Sequence, residues 1–395
     1  MLNTDFASYY QKASKITKII RYIVLLVFIL FAFTSILVFR NDITIENFQM
    51  IMKALPLGGN SAYNYNEEFP VNANSSDNVF MLRNNLAVVG NDNISLYELS
   101  GQKLFSYNFS YSSPAVDYDK HNIVVYDVTG NELSIFNSFS KIYSESFPYS
   151  VRSADINENG LAVLTNEKTY RSALYVYSKN YDKRLFEYYS ADSYLTSIAL
   201  SNNAKKVLAT STQSLDGSFL SKVKLFDVSS EDVLHVKEIT NEIPVSSGYS
   251  DDNSSIFVIT DSGIHFYDDK LNETKFYKFN QSKIVDFYQD QNLIIFTERK
   301  NISGNSMKLT CFKKSGEMLF NLDVVDEISD ISVGNNVIFA LGKNGVYKFE
   351  NNSKKGYRQT ANTAINEKFD SIHTDTYNNC YIVNSNYAVQ VDFKK

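Results

Sequence analysis

The chain has 395 residues, 44% of them hydrophobic and 21% charged, with a net charge of -6. This is enough apolar material for a packed core, so a mainly disordered chain is excluded, and the mildly acidic balance gives no overall electrostatic footprint for nucleic acid. Two cysteines exclude a disulfide-dense scaffold, and Trp is absent beside 28 Tyr and 28 Phe.

Residues 22–39 read YIVLLVFILFAFTSILVF, 18 residues without a charge. As a helix they would extend about 27 Å, close to the roughly 30 Å of a hydrocarbon core. Lys12, Lys15, Lys18 and Arg21 precede the run, whereas Arg40 is followed by Asp42 and Glu46. The positive-inside rule then predicts a single-pass protein of the cell membrane. Its parts would be a basic cytoplasmic segment at 1–21, a transmembrane helix at 22–39, a stalk at 40–60 and an extracellular domain at 61–395. A cleaved signal peptide is the alternative, disfavoured by the length of the run and by the lack of a small-residue cleavage site. Beyond residue 40 there are 33 basic and 43 acidic residues, a net of -10, read as a solvated surface.

After residue 75 the chain turns into short runs rich in Val, Ile, Leu, Phe and Tyr between Asn, Asp, Gly and Ser turns. One run recurs: LAVV at 86–89, IVVY at 123–126, LAVL at 161–164, VLAT at 207–210, IFVI at 256–259, LIIF at 293–296, VIFA at 337–340 and CYIV at 380–383. The starts are 37 to 49 residues apart, with a mean of 42. That period suits blades of four strands. A short strand and a polar turn precede each run. An alternating strand with an aromatic residue follows, such as ISLYEL (94–99) or IHFYDD (264–269), and then a fourth strand. The apolar run is expected to be the inner, doubly covered strand and the alternating one to be half exposed. Eight runs predict an all-β fold, an eight-bladed β-propeller preceded by the N-terminal transmembrane helix. Seven blades, with a weak unit near 325–366 absorbed elsewhere, or two smaller β domains are the alternatives. The last unit lacks a fourth strand, and SAYNYNEEF (61–69) is placed to supply it and remove an edge. Longer insertions at 210–221 and 298–306 both follow an apolar run and should emerge on one face.

The basic N-terminus, the 22–39 segment and the runs from LAVV (86–89) to CYIV (380–383) together resemble an uncharacterised family of membrane-anchored β-propellers from low-GC Gram-positive bacteria. The resemblance covers nearly the whole chain and implies a propeller outside the membrane. It carries over no catalytic or binding residue. Tryptophan-aspartate and quinone-binding propellers fit poorly, because their repeats usually carry a Trp and this chain has none.

Chemistry is sparse. In DINENG (155–160), Asp155, Asn157 and Asn159 have the spacing of a calcium loop, but the closing acid position is Asn166, so a plain hairpin turn is expected. His121, His235, His265 and His373 are unpaired in sequence, and Cys311 and Cys380 read as single buried thiols, with a disulfide as the lesser reading. Neither a nucleophile elbow nor a phosphate-binding loop occurs. No catalytic, cofactor-binding or metal residue is assigned, and no cofactor is expected. The function expected is a non-catalytic, membrane-anchored binding or scaffolding module for an envelope protein or a cell-wall polymer, with no nucleic-acid partner. The alternatives are a hydrolase or lyase of wall glycan or peptide, which requires acidic and His side chains converging at the channel mouth, and a structural assembly factor.

Overall fold

The computed structural model describes residues 3–38, 68–73, 78–82, 84–138, 140–215, 217–230, 232–279, 284–290, 292–300, 306–352 and 356–393. It divides into two units, 1–62 and 63–395.

Among the described residues, the first unit holds one helix, Asn3–Val38. It contains neither Gly nor Pro, which removes the two strongest helix breakers. Among the described residues, no helix is long and apolar enough to cross a membrane. The described side chains run uncharged and unbroken only from Tyr22 to Phe31, about half of the roughly 20 residues that a span takes. The side chains of Ala32 and of residues 35–39 lie outside the described ones. The expected transmembrane helix at 22–39 is therefore corrected to a helix for which the structure supports no crossing. The single-pass topology and the cytoplasmic and extracellular placements built on it fall with it, and the structure adds no support for the membrane as a partner. The expected stalk at 40–60 lies outside the described residues.

The second unit is an eight-bladed propeller of four-stranded antiparallel sheets. In chain order the blades cover 78–108, 114–146, 151–190, 194–240, 244–278, 284–324, 328–364 and 371–390. The region near 325–366 forms a complete seventh blade. All eight apolar runs form second strands, from Asn85–Val89 in blade 1 to Cys380–Val383 in blade 8. The axis is lined instead by the short first strands, which contact one another around the ring.

The expected half-exposed third strand is also corrected. Ile94, Leu96, Leu133, Ile135, Ile264 and Phe266 are as buried as the second strands beside them. Each blade packs face to face on two neighbours, so both middle strands are covered on both sides, and the fourth strand carries the solvent-facing alternation. The polar residues that make the third strand look amphipathic have partners inside. Ser134 meets the Tyr111 hydroxyl at 3.1 Å, and the Lys224 ammonium donates to the Tyr188 hydroxyl at 2.8 Å. Buried polar groups persist where such a bond is made.

Blade 8 is completed by the strand Glu68–Pro70, which pairs with its outer strand in the register Glu68↔Val389, Phe69↔Ala388, Pro70↔Tyr387. Of the segment expected to close the ring, 61–67 lies outside the described residues. The two insertions do connect second to third strands. At 210–221, however, the ladder continues to Leu215↔Ser218, so the segment is a raised hairpin of ten-residue strands. Gly217, at φ +82°, takes the turn conformation that side chains disfavour. At 298–306 the ladder reaches Arg299↔Met307, and 301–305 lies outside the described residues.

The Asn-rich turns between first and second strands serve as inter-blade ties. Asn159 donates to the Asn202 carbonyl of blade 4 at 2.6 Å, and Asn202 donates to the Asp251 carbonyl of blade 5 at 2.9 Å. Asn292 of blade 6 bonds Asp251, Asn378 of blade 8 donates to the Asn335 carbonyl of blade 7, and Asn84 of blade 1 accepts from Thr376. A side-chain amide suits this place because it donates and accepts at once. Asn202→Ala is expected to lower stability by about 1 kcal/mol, the net worth of a hydrogen bond. Urea unfolding checks this, and an unchanged midpoint would count against the ties as stabilising contacts.

Candidate functional site

Two regions of the propeller combine geometry with unusual chemistry. The first lies on the axis. Asp117 of blade 2 and Asp155 of blade 3 stand at the same offset, six residues before their apolar runs. Each reaches the next blade: the N–H of Ile156 donates to Asp117 at 2.7 Å, and the N–H of Leu200 donates to Asp155. Asp330 receives the Ile372 N–H at 2.8 Å across the junction of blades 7 and 8.

Because neighbouring first strands are adjacent, Asp117 and Asp155 also hydrogen-bond to each other. Burial and the Asp155 charge push Asp117 well above the usual carboxyl range. Burial pushes Asp155 up to about 6, against the pull of the Leu200 N–H, Asp117 and the Lys314 ammonium. Two like charges in a desolvated place cannot both ionise, so the pair shares a proton. Nearby, the Tyr249 hydroxyl is 6% exposed as a residue, feels the Asp155 charge and has no hydrogen-bond partner.

The second region lies on the face bearing the connections from second to third strands and from blade to blade. Tyr170 and Tyr189 sit with ring centres 5.1 Å apart, and the Arg171 guanidinium lies 5.1 Å from the Tyr194 ring centre. Tyr194 is 56% exposed, and Phe219, on the raised hairpin of blade 4, is 47% exposed. The opposite face carries a cleft of 630 Å³ over blades 5 to 7, lined by groups such as Asp251, Asn292, Lys313 and Tyr357.

A further cluster joins blade 5 to the connection that enters it from blade 4. His265 is held between Glu242, at 2.9 Å from Nε2, and Glu273, at 3.1 Å from Nδ1, and stacks on Phe276. Burial pushes the Glu242 carboxyl up, but hydrogen bonds from Thr260 and His265 outweigh it and hold the group below its usual range. The two ring nitrogens face different carboxylates, so these groups do not converge on one point.

The residues singled out from sequence are dispersed. Cys311 and Cys380 are both buried and free, with burial raising both thiols. In DINENG, Asp155 turns to the axis while Asn157 and Asn159 bind carbonyls of blade 4, so the three do not form an ion loop. His121 lies 4.0 Å from Glu158, His235 is exposed, and His373 is buried against the Ser371 hydroxyl. Among the described residues, no group of three or more His, Cys, Asp or Glu side chains is placed to hold a metal ion. The axial pair was missed, although the shared offset of Asp117 and Asp155 was a signal that aligning the repeats by their runs would have exposed.

This geometry defines the class: an eight-bladed propeller with an acidic pair on its axis and an aromatic patch on one face. The chain belongs to the family of unknown function DUF5711, whose model matches residues 59–393. That description includes neither a membrane anchor nor a bacterial group, and the expected low-GC Gram-positive, membrane-anchored character is withdrawn. Among curated proteins no relative matches. Among solved structures, the chain is similar to the computationally designed Ika8 protein, with a TM-score of 0.56 and 11% identity over 83% of this chain and 98% of that one. It is also similar to BamB from Moraxella catarrhalis, with a TM-score of 0.51 and 11% identity over 82% of this chain and 98% of that one. At such identity the likeness establishes the fold alone.

Proposed function

We propose that the propeller, taken as residues 61–395, is a non-catalytic binding module for a protein partner, which it engages through the aromatic face of blades 3 and 4. The observation that carries this reading is the exposed group Tyr170, Arg171, Tyr189, Tyr194 and Phe219 beside a hairpin raised above its neighbours. Tyr and Arg dominate binding hot spots, and contiguous exposed aromatic surface favours a partner over solvent. The rigid ring presents these side chains at little entropic cost.

The test is co-purification with cross-linking, comparing the wild type with the double variant Tyr194→Ala/Phe219→Ala. Both side chains are exposed, so the fold should be kept. Binding should weaken by about 2–4 kcal/mol, roughly 30- to 1000-fold, as for two hot-spot truncations. Equal recovery of partners by both proteins would remove this face from consideration.

A further inference from the structure

We propose, resting on the reading that the aromatic face binds a protein partner, that the mouth of the axial channel beside this face receives an acidic side chain of that partner, held by Arg152. Blades 3 to 7 share one irregularity in the ladder between their first and second strands. In blade 3 the register shifts between Val151 and Ser153, and the other four repeat the shift near the start of the first strand. The residue skipped is Arg152, Thr196, Val245 and Ser329 in the four blades where its side chain is described. A bulge of this kind turns a side chain out of the pleat. All four are exposed although the residue before each is buried, and the strands that carry them line the axis. The bulges fall where these strands leave the blade-to-blade connections, so the four side chains gather at the channel mouth on the face that carries Tyr194 and Phe219. Tyr194 begins the strand that holds Thr196, which joins the mouth to the aromatic group.

Arg152 is the charged member of these four, and its guanidinium has no ion pair or hydrogen bond among the described residues. By contrast, Arg171 lies over the Tyr194 ring, Lys224 donates to Tyr188, and Lys222 meets Glu238 at 3.4 Å. A planar guanidinium with free N–H groups matches a carboxylate through two parallel bonds. The hydroxyls at the matching positions are engaged within the protein: Thr196 bonds the Thr210 hydroxyl at 2.8 Å, and Ser329 donates to the Leu341 carbonyl at 3.3 Å. The acids that directly follow a bulge, Asp286 and Asp330, belong to blades 6 and 7, across the ring from blade 3. Negative charge on a ligand is therefore directed to the blade 3 side. On a chain of net charge -6, an unpaired cation beside exposed aromatic surface favours an acidic partner segment and disfavours a basic one.

The probe is the peptide acetyl-Glu-Gly-Phe-Gly-Phe-amide, titrated into the full chain by calorimetry beside the same peptide with Gln or Lys in place of Glu. The acidic peptide should bind saturably. The Gln peptide should bind about 10- to 100-fold more weakly, as for the loss of a charge-assisted hydrogen bond, and the Lys peptide more weakly still. Arg152→Gln should remove the preference for Glu over Gln. Arg152→Lys should keep part of it, because the charge stays and the paired bonds do not. Arg152 is exposed, so both variants should fold, and a thermal melt checks this. If they do not, the three peptides on the wild type decide, together with a rise in salt from about 50 to about 500 mM, which should shrink the preference. Equal binding of the Glu and Gln peptides by the wild type, an unchanged preference in Arg152→Gln, or no saturable binding of the acidic peptide would overturn the proposal. Tyr194→Ala/Phe219→Ala should weaken the Glu and Gln peptides alike. Unchanged affinity in that variant with the Glu preference kept would sink the aromatic reading alone, and weakened affinity without a Glu preference in the wild type would sink the carboxylate site alone.

Discussion

Phe69→Ala is expected to destabilise the propeller by about 3–5 kcal/mol, the range for a large aromatic removed from a packed core. Phe69 is 1% exposed although it belongs to a three-residue strand. Its ring meets Tyr381 edge-on, with centres 6.4 Å apart. Gly101, at φ +87°, closes over the same strand so tightly that a Cβ there would come within 2.9 Å of the Phe69 Cβ. The strand therefore fastens blade 8 and also packs on a turn of blade 1. Without Phe69 the ring keeps three backbone pairings and loses the side chain that anchors them. Where those pairings then open, the strand Tyr387–Gln390 is left as a free edge, which invites aggregation. Urea unfolding of Phe69→Ala beside the exposed control Phe219→Ala is the measurement. The control should stay within about 0.5 kcal/mol of the wild type. A loss below about 1 kcal/mol for Phe69→Ala would show that closure does not depend on this contact.

The second large effect depends on pH. Asp117→Asn is expected to be more stable than the wild type at pH 8 and to lose that advantage as the pH falls towards 4. Both carboxyls of the pair have native pKa values raised above their usual 3.8, and Asp155 reaches about 6. Between those values the native state holds protons that the unfolded chain has released. Stability from the pair is thus complete below about pH 4 and is lost as the pH rises through 6. The difference between the two proteins is set by Asp117, which the variant removes, because Asp155 is kept in both and is raised chiefly by its own burial. Asn at 117 imitates the protonated acid: its oxygen accepts the Ile156 N–H and its amide donates to Asp155.

Other groups titrate in both proteins. Asp330, pushed to about 6 by burial, has the same sign as the pair. His373, lowered to about 3 by burial, has the opposite effect, because the unfolded imidazole charges below about pH 6.5 and stability is lost as the pH falls. Asp252, held at about 2 by Ser250 and Ser254, likewise loses its contribution as the pH falls through its range. Subtracting the melting curves of wild type and variant from pH 4 to 8 cancels these shared contributions. Parallel curves would show that the pair does not share a proton.

The repeat was legible because each blade buries its second strand on both faces, and a doubly covered strand must be apolar throughout. LAVV at 86–89 and CYIV at 380–383 differ in every residue except their final Val, yet both announce the same strand. Closure was legible for a related reason: a final unit one strand short has to borrow one. The third strand misled because Ser95, Ser134, Lys224 and His265 look like solvent-facing positions. Periodicity records which residues alternate, and it does not record whether a neighbouring blade covers both sides. A helix was expected at 22–39 alone; the helix found is Asn3–Val38, and the crossing attached to the expected one was not supported by the described side chains.

Local pattern thus specified the strands, their order within a blade, the number of blades and the means of closing the ring, since burial and turn chemistry act over a few residues. The pairing of Asp117 with Asp155, the Asn ties from turn to turn, the carboxylates on either side of His265 and the gathering of Tyr170, Tyr189, Tyr194 and Phe219 on one face were settled by three-dimensional packing. Each joins residues from different strands or different blades. Their distance in space depends on how blades rotate about the axis, and no spacing along the chain encodes it.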